Sequence, residues 1–145
     1  TPSQMEWIED NLRQVKLQTP LRPGAQWNGN RFLANNPLYP TYDFSNDDNI
    51  QNWIYTLSAE LSSFQYRNKR YENVITVMQI DEAVNVPITI PTSYAFRNYA
   101  VDRFAKNIGL VYREWECWEY QPNTGGSGGP YRIGFGIRQW MVENN

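Results

Sequence analysis

Histidine is absent from the 145-residue sequence. Its absence removes Ser-His-Asp triads, Cys-His dyads, His-ligated metals and imidazole proton shuttles from the chemistry this chain can do by itself. Cysteine is almost as scarce, since Cys117 stands alone. An intrachain disulfide is impossible, and a thiolate cluster for zinc is equally out of reach. A lone thiol favours a reducing compartment such as the cytoplasm, or a particle assembled there. Apolar runs of membrane-spanning length are missing, and no signal-peptide pattern opens the chain. No membrane partner, cofactor or metal is therefore expected. The Gly-rich, kinase, hydrolase, zinc-finger and RNA-recognition signatures each fail on specific residues. Any catalysis would rest on carboxylates, Lys, Tyr or Cys117, and no motif organises them.

Rings are abundant instead. Aromatic residues make up 15% of the chain, with six Trp and ten Tyr. Disordered segments are poor in these residues, so a folded domain is expected, with many rings needing a partner for a polar edge. The net charge of −2 hides an uneven distribution. Basic residues outnumber acidic ones only in the middle third, residues 66–113.

Local patterns predict an α+β fold. A capping box, Ser3 with Glu6, precedes Met5, Ile8, Leu12 and Val15 at helical spacing, which reads as a helix over 4–17. Residues 18–46 carry prolines and rings without a sustained period, which reads as an extended arm lying on a surface. Ile50, Trp53, Ile54, Leu57 and Leu61 form one stripe, so a second helix is expected from Asn46 or Asp47 onward. "QYRNKR" reads as a basic turn, "YENVITVMQI" as a central strand and "AVNVPITI" as an edge strand demoted by Pro87. A third helix is expected from Thr92 or Ser93 to a stop at Gly109. The last two runs read as a long hairpin, with Tyr131, Ile133, Phe135, Ile137 and Met141 on one face. The expected architecture is a small antiparallel sheet of about four strands covered on one face by helices, in the order α-(extended arm)-αββ-αββ. Residues 1–46 would form the N-terminal helix and arm, and residues 47–145 the α+β core domain.

Several constellations are candidates for function, each with a plainer alternative. The tract "GGSGG" at 125–129 lacks the Lys and the following helix of a phosphate loop, and reads as a hairpin tip. Glu114, Glu116 and Glu119 form an acidic set on one strand, with Glu114 and Glu116 on the same face, which suits paired-carboxylate work, a divalent cation or a solvated surface. Arg67, Lys69 and Arg70 in the basic turn, with Tyr99, Arg103 and Lys106 on the third helix, combine cations and rings as single-stranded nucleic-acid sites do. The same pattern suits a protein interface, or a solvated helix on which Asp102 pairs with Lys106. Arg97 falls in an apolar stripe and needs Glu114, Glu116 or Asp81, or an escape to the edge of the core. Cys117, flanked by acids and without an activating base, reads as a packing residue.

The leading expectation is a non-enzymatic structural or assembly protein, a coat, capsid or tail-like component. It would self-associate or dock onto another subunit through the arm. Trp27, Phe32, Leu38, Tyr39 and Tyr42 of the arm, with Trp115 and Trp118 of the hairpin, are the expected interface. The alternative is a single-stranded nucleic-acid-binding module built on the basic turn and the third helix. Both partners, protein and single-stranded nucleic acid, are compatible with one nucleoprotein coat.

Overall fold

The structure, a computed structural model, describes residues 3–43, 49–58 and 60–143. Among them there is no α-helix. The described chain is β-structure throughout, and the α+β expectation is wrong. Strands β1 (Gln4–Glu9) and β2 (Leu12–Gln18) form a two-stranded hairpin. Strands β3 (Gln26–Asn28), β4 (Ile54–Leu57), β5 (Ser62–Tyr66), β6 (Lys69–Val84), β7 (Ala95–Ala105), β8 (Gly109–Gln121) and β9 (Tyr131–Trp140) form one sheet. Its order is β3-β4-β6-β7-β8-β9, with β5 paired to the first part of β6, and these ladders are antiparallel.

None of the three expected helices forms among the described residues. In residues 4–17, Asp10 and Asn11 both have positive φ, 50° and 64°, which makes a two-residue hairpin turn. On β2, Gln14, Val15 and Lys16 are buried in succession, a pattern that no single helical face can produce. The stripe from Ile50 to Leu57 becomes a single 3-10 turn at Ile50–Asn52 followed by β4. Tyr55 and Leu57 are buried there while Ile54 is exposed. The cap expected at Asn46 or Asp47 lies outside the described residues. The third helix is β7, the most densely paired strand in the sheet. Phe96, Asn98, Ala100 and Asp102 alternate along it with Arg97, Tyr99, Val101 and Arg103. Gly109, with φ of 105°, ends no helix; it follows Asn107 (φ 64°) in the turn to β8. The edge strand expected around Pro87 is a loop after Val84, organised by Asn85, whose side chain accepts from the backbone N–H of Thr89 and Ile90. The basic turn, the central strand of β6 and the terminal hairpin are where the sequence reading put them.

The register defines two faces. Ala100, Asp102, Arg113, Trp115, Cys117, Phe135 and Ile137 share the inner face. The hairpin, the arm and the 3-10 turn lie against it. Val15, Trp27, Ile50, Trp53 and Tyr55 interlock there with Val77, Ala100 and Trp115. Trp115 meets Trp53 and Phe135 edge-on, at 6.2 and 5.1 Å between centroids. Such pairs are worth about 0.5–1.5 kcal/mol each beyond their area. A smaller cluster of Phe64, Tyr71, Val74, Ala105 and Val111 forms where the β5–β6 hairpin meets the end of β7 and β8. Met141, expected on the Tyr131 face, packs against this second cluster instead.

Candidate functional site

The covering layer is held to the sheet largely by polar side chains. Lys16 and Asp102 form an ion pair at 2.9 Å with both side chains almost fully buried. Gln79 Nε2 donates to the same carboxylate oxygen at 2.6 Å, and Arg113 Nε stands 4.0 Å from the other. Arg113 Nη1 donates to Glu9 at 2.9 Å, which ties the hairpin turn to β8. Beside this set, the Tyr55 hydroxyl and Gln14 Nε2 both donate to Asn30 Oδ1, at 2.7 and 3.0 Å. Asn30 Nδ2 donates to the Ile50 carbonyl at 2.8 Å. Burial lowers the Lys16 pKa, with Asp102 opposing the shift, and burial pushes the Tyr55 hydroxyl well up. The Glu9 carboxyl is held below its usual value by the Arg113 hydrogen bond. The expected surface pair between Asp102 and Lys106 does not form; Asp102 is interior and Lys106 is exposed in the β7–β8 turn.

Where the hairpin turn, the arm and the last two strands converge, they leave a cleft of about 580 Å³. Glu9, Asp10 and Leu12 form one wall, and Leu38, Tyr39 and Tyr42 another. Arg113, Trp115 and Phe135 form the floor. The Tyr42 ring lies 5.2 Å from that of Phe135, so the arm is anchored rather than adrift. Two rim residues are notably exposed for their type, Tyr39 at 63% and Ile137 at 45%. Trp115 Nε1 is buried without a hydrogen-bond partner among the described residues. A cleft of this size, apolar with a few polar groups, has the ordinary character of a binding site.

Of the seven residues expected at an interface, Leu38, Tyr39, Tyr42 and Trp115 meet in this cleft. Trp27 is core, its indole N–H donating to the Val15 carbonyl at 2.7 Å. Phe32 lies exposed outside the cleft between the guanidiniums of Arg13 and Arg31, at 4.0 and 5.1 Å. Trp118 sits on the outer face opposite Gly134, under the Arg132 guanidinium at 3.5 Å. The sequence reading missed Glu9, Leu12, Arg113, Phe135 and Ile137 as cleft residues. Arg113 and Trp115 share a face by strand period, so that pair was within reach of the sequence. Glu9 was hidden by the helical reading of the hairpin.

The basic set is partly assembled. Arg67 packs over Tyr66 and Trp140, and Lys69 donates to the Val142 carbonyl. Arg103 lies over Phe64 and Tyr112, and the Lys106 backbone N–H donates to Asn73. These four therefore gather at one end of the sheet. Arg70 is paired with Glu72 at 2.6 Å, and Tyr99 lies farther up β7 beneath Arg97. Arg97 takes Asp81 as its partner, at 2.6 Å. Glu114 and Glu116 do share a face, and face Arg138 and Arg132 at 2.6 and 3.8 Å. Cys117 is fully buried against Asn98. The glycine tract connects β8 to β9, with Asn123 Nδ2 donating to the Gly128 carbonyl at 2.6 Å.

No protein-family model matches the chain, and comparisons with curated proteins and with solved structures give no match.

Proposed function

We propose that this chain is a non-enzymatic structural protein that builds an assembly by docking a second copy of itself at the cleft between arm, hairpin and β8–β9. The described part of the arm folds back on its own sheet through Leu33, Leu38 and Tyr42. Docking would therefore use the surface the arm completes rather than an arm reaching outward. The observation that carries the reading is the pairing of an apolar, ring-lined floor with exposed Tyr39 and Ile137 at its rim. Tyr is enriched at interfaces because it offers large area with a polar edge. Sedimentation analysis over a wide concentration range tests this. Self-association is expected, and Ile137→Asp and Tyr39→Ala should each weaken it. A strict monomer at high concentration, or association indifferent to both changes, refutes it.

A second reading is nucleic-acid binding at the opposite feature. Its support is the gathering of Arg67, Lys69, Arg103 and Lys106 at one end of the sheet beside the Tyr66–Trp140 ring pair, whose centroids lie 4.4 Å apart. It requires binding of single-stranded RNA or DNA that weakens with salt and with Arg67→Ala and Lys69→Ala.

A further inference from the structure

The sheet is longer than the layer that covers it. Strands β6, β7 and β8 run on past Trp53, toward the β6–β7 loop, and their inner face there carries Glu82, Phe96 and Asn98. The result is a second cleft of about 550 Å³, on the other side of the Trp53–Trp115 ring contact from the docking cleft. Its lining combines three rings, Trp53, Tyr94 and Phe96, with the amides of Asn52 and Asn98 and the carboxylate of Glu82. No Lys or Arg is among the described residues that line it.

We propose that this cleft binds a neutral saccharide. The Asn52 amide offers both donors and an acceptor, and the Glu82 carboxylate accepts, which matches adjacent hydroxyl groups on a sugar ring. The rings supply apolar faces for its C–H surfaces. The Tyr94 hydroxyl is already donated to Glu119 at 3.0 Å, so that ring is fixed in orientation. Its centroid lies 6.0 Å from that of Phe96, with the planes inclined at 42°. Rings this close and this inclined do not form the parallel-sided slot that clamps a planar base. An anionic ligand would meet Glu82 with no counter-charge among the described lining residues, and a lipid chain would leave the Asn52 amide and that carboxylate without partners.

The test uses the full chain and two-dimensional NMR of side-chain amide and aromatic resonances. The probes are glucose, galactose, mannose, N-acetylglucosamine, maltose and cellobiose, with tetramethylammonium and adenosine as competing chemistries. At least one sugar is expected to give a saturable shift at Asn52, Asn98, Tyr94 and Phe96. Phe96→Ala and Asn52→Ala, both changes at positions outside the central core, should each weaken that binding about tenfold or more while leaving the rest of the spectrum in place. Should either variant lose its folded spectrum, the other still decides the matter, and a milder Phe96→Leu replaces the first. The proposal is overturned if none of the sugars shifts these residues. It is also overturned if tetramethylammonium or adenosine binds there more tightly, or if sugar binding survives both substitutions.

Discussion

Replacing Asp102 by Asn should destabilise the protein far more than replacing Lys16 by Met, although the two changes break the same ion pair. The side chains stand 2.9 Å apart and are almost fully buried. Breaking a buried pair by removing one partner costs about 3–5 kcal/mol when an uncompensated charge is left behind. The two partners differ in what remains to them. Without Lys16, Asp102 keeps the Gln79 hydrogen bond at 2.6 Å and the more distant Arg113. Without the Asp102 charge, Lys16 keeps the more remote attraction of Glu9 and the Tyr55 ring at 5.8 Å, against repulsion from Arg113. Lys16 can escape by losing its proton, which sets a ceiling. Neutralising an ordinary lysine of pKa near 10.4 at pH 7 costs about 4.6 kcal/mol. Asp102→Asn is therefore expected to cost about 3–5 kcal/mol, or roughly 10–15 °C in Tm for a chain of this size. Lys16→Met keeps the apolar stem, removes a desolvated ammonium and should stay within about 2 kcal/mol of the parent.

Urea unfolding followed by Trp fluorescence measures both, and pH supplies a second signature. In Asp102→Asn the Lys16 pKa falls further below its unfolded value. Between those two values the unfolded chain binds more protons, so stability rises with pH. The deficit of Asp102→Asn should therefore shrink from neutral pH toward about pH 10. The upward-shifted Tyr55 acts in the opposite sense above its usual value and loses part of its shift with the Asp102 charge, so the comparison is made below about pH 10. Equal losses for the two variants, or a larger loss for Lys16→Met, would refute the argument that the anion has the better remaining partners.

Two further outcomes follow from single contacts. Gly134→Ala should cost at least about 2 kcal/mol. Gly134 has φ of 139°, and a β-carbon there would run into the Cys117 carbonyl and the Trp118 backbone. Gly125→Ala, in open space at the loop tip, should fall within about 0.5 kcal/mol of the parent in the same unfolding assay. The Glu9–Arg113 contact should loosen in acid. Because the Glu9 pKa is lowered in the fold, its contribution is present above the usual carboxylate value of 4.5 and is lost as pH falls through the lower folded value. Trp7, whose indole donates to Glu9, reports this as a fluorescence change between about pH 5 and pH 3, and Glu9→Gln should abolish it. An acid transition unchanged in Glu9→Gln would exclude that carboxylate as its source.

The strand-rich second half was legible where period and turn chemistry agreed. β6 is dense in Val and Ile, and β9 alternates Tyr131, Ile133, Phe135 and Ile137 with glycines, so the hairpin and its face could be read directly. β7 was not, because Ala100, Phe104 and Ile108 also satisfy a four-residue spacing. Pairing on both sides, with β6 and β8, overrode that local preference. The N-terminal hairpin was hidden for a different reason. Ser3 and Glu6 mimic a helix cap, yet Glu6 is engaged by Arg13 across the hairpin at 2.9 Å. The Asp10-Asn11 pair was the turn signal available in the sequence. Part of the cleft was visible as apolar side chains in search of burial, because Leu38, Tyr39, Tyr42 and Trp115 stand out in any loop or strand. The rest depends on which residues a hairpin brings over a sheet, and that is long-range information.

The polar character of the contact beneath β2 has a consequence for the cleft above it. Strand side chains alternate with period two, so a slip of one residue exchanges the faces of a strand. On β2 such a slip would bring apolar Val15 or Leu17 to the place of Lys16 and leave Asp102 without its ammonium. An apolar contact there would tolerate the shift much better, since hydrophobic burial is non-directional. Gln14 adds a second constraint through its hydrogen bond to Asn30, and Glu9 a third through Arg113. Three directional contacts thus define where the hairpin lies on the sheet. Glu9, Asp10 and Leu12, which wall the docking cleft, occupy the same hairpin. The geometry of the proposed docking surface is in this way set by charges and amides buried beneath it, while the rings and Ile137 provide its contact area.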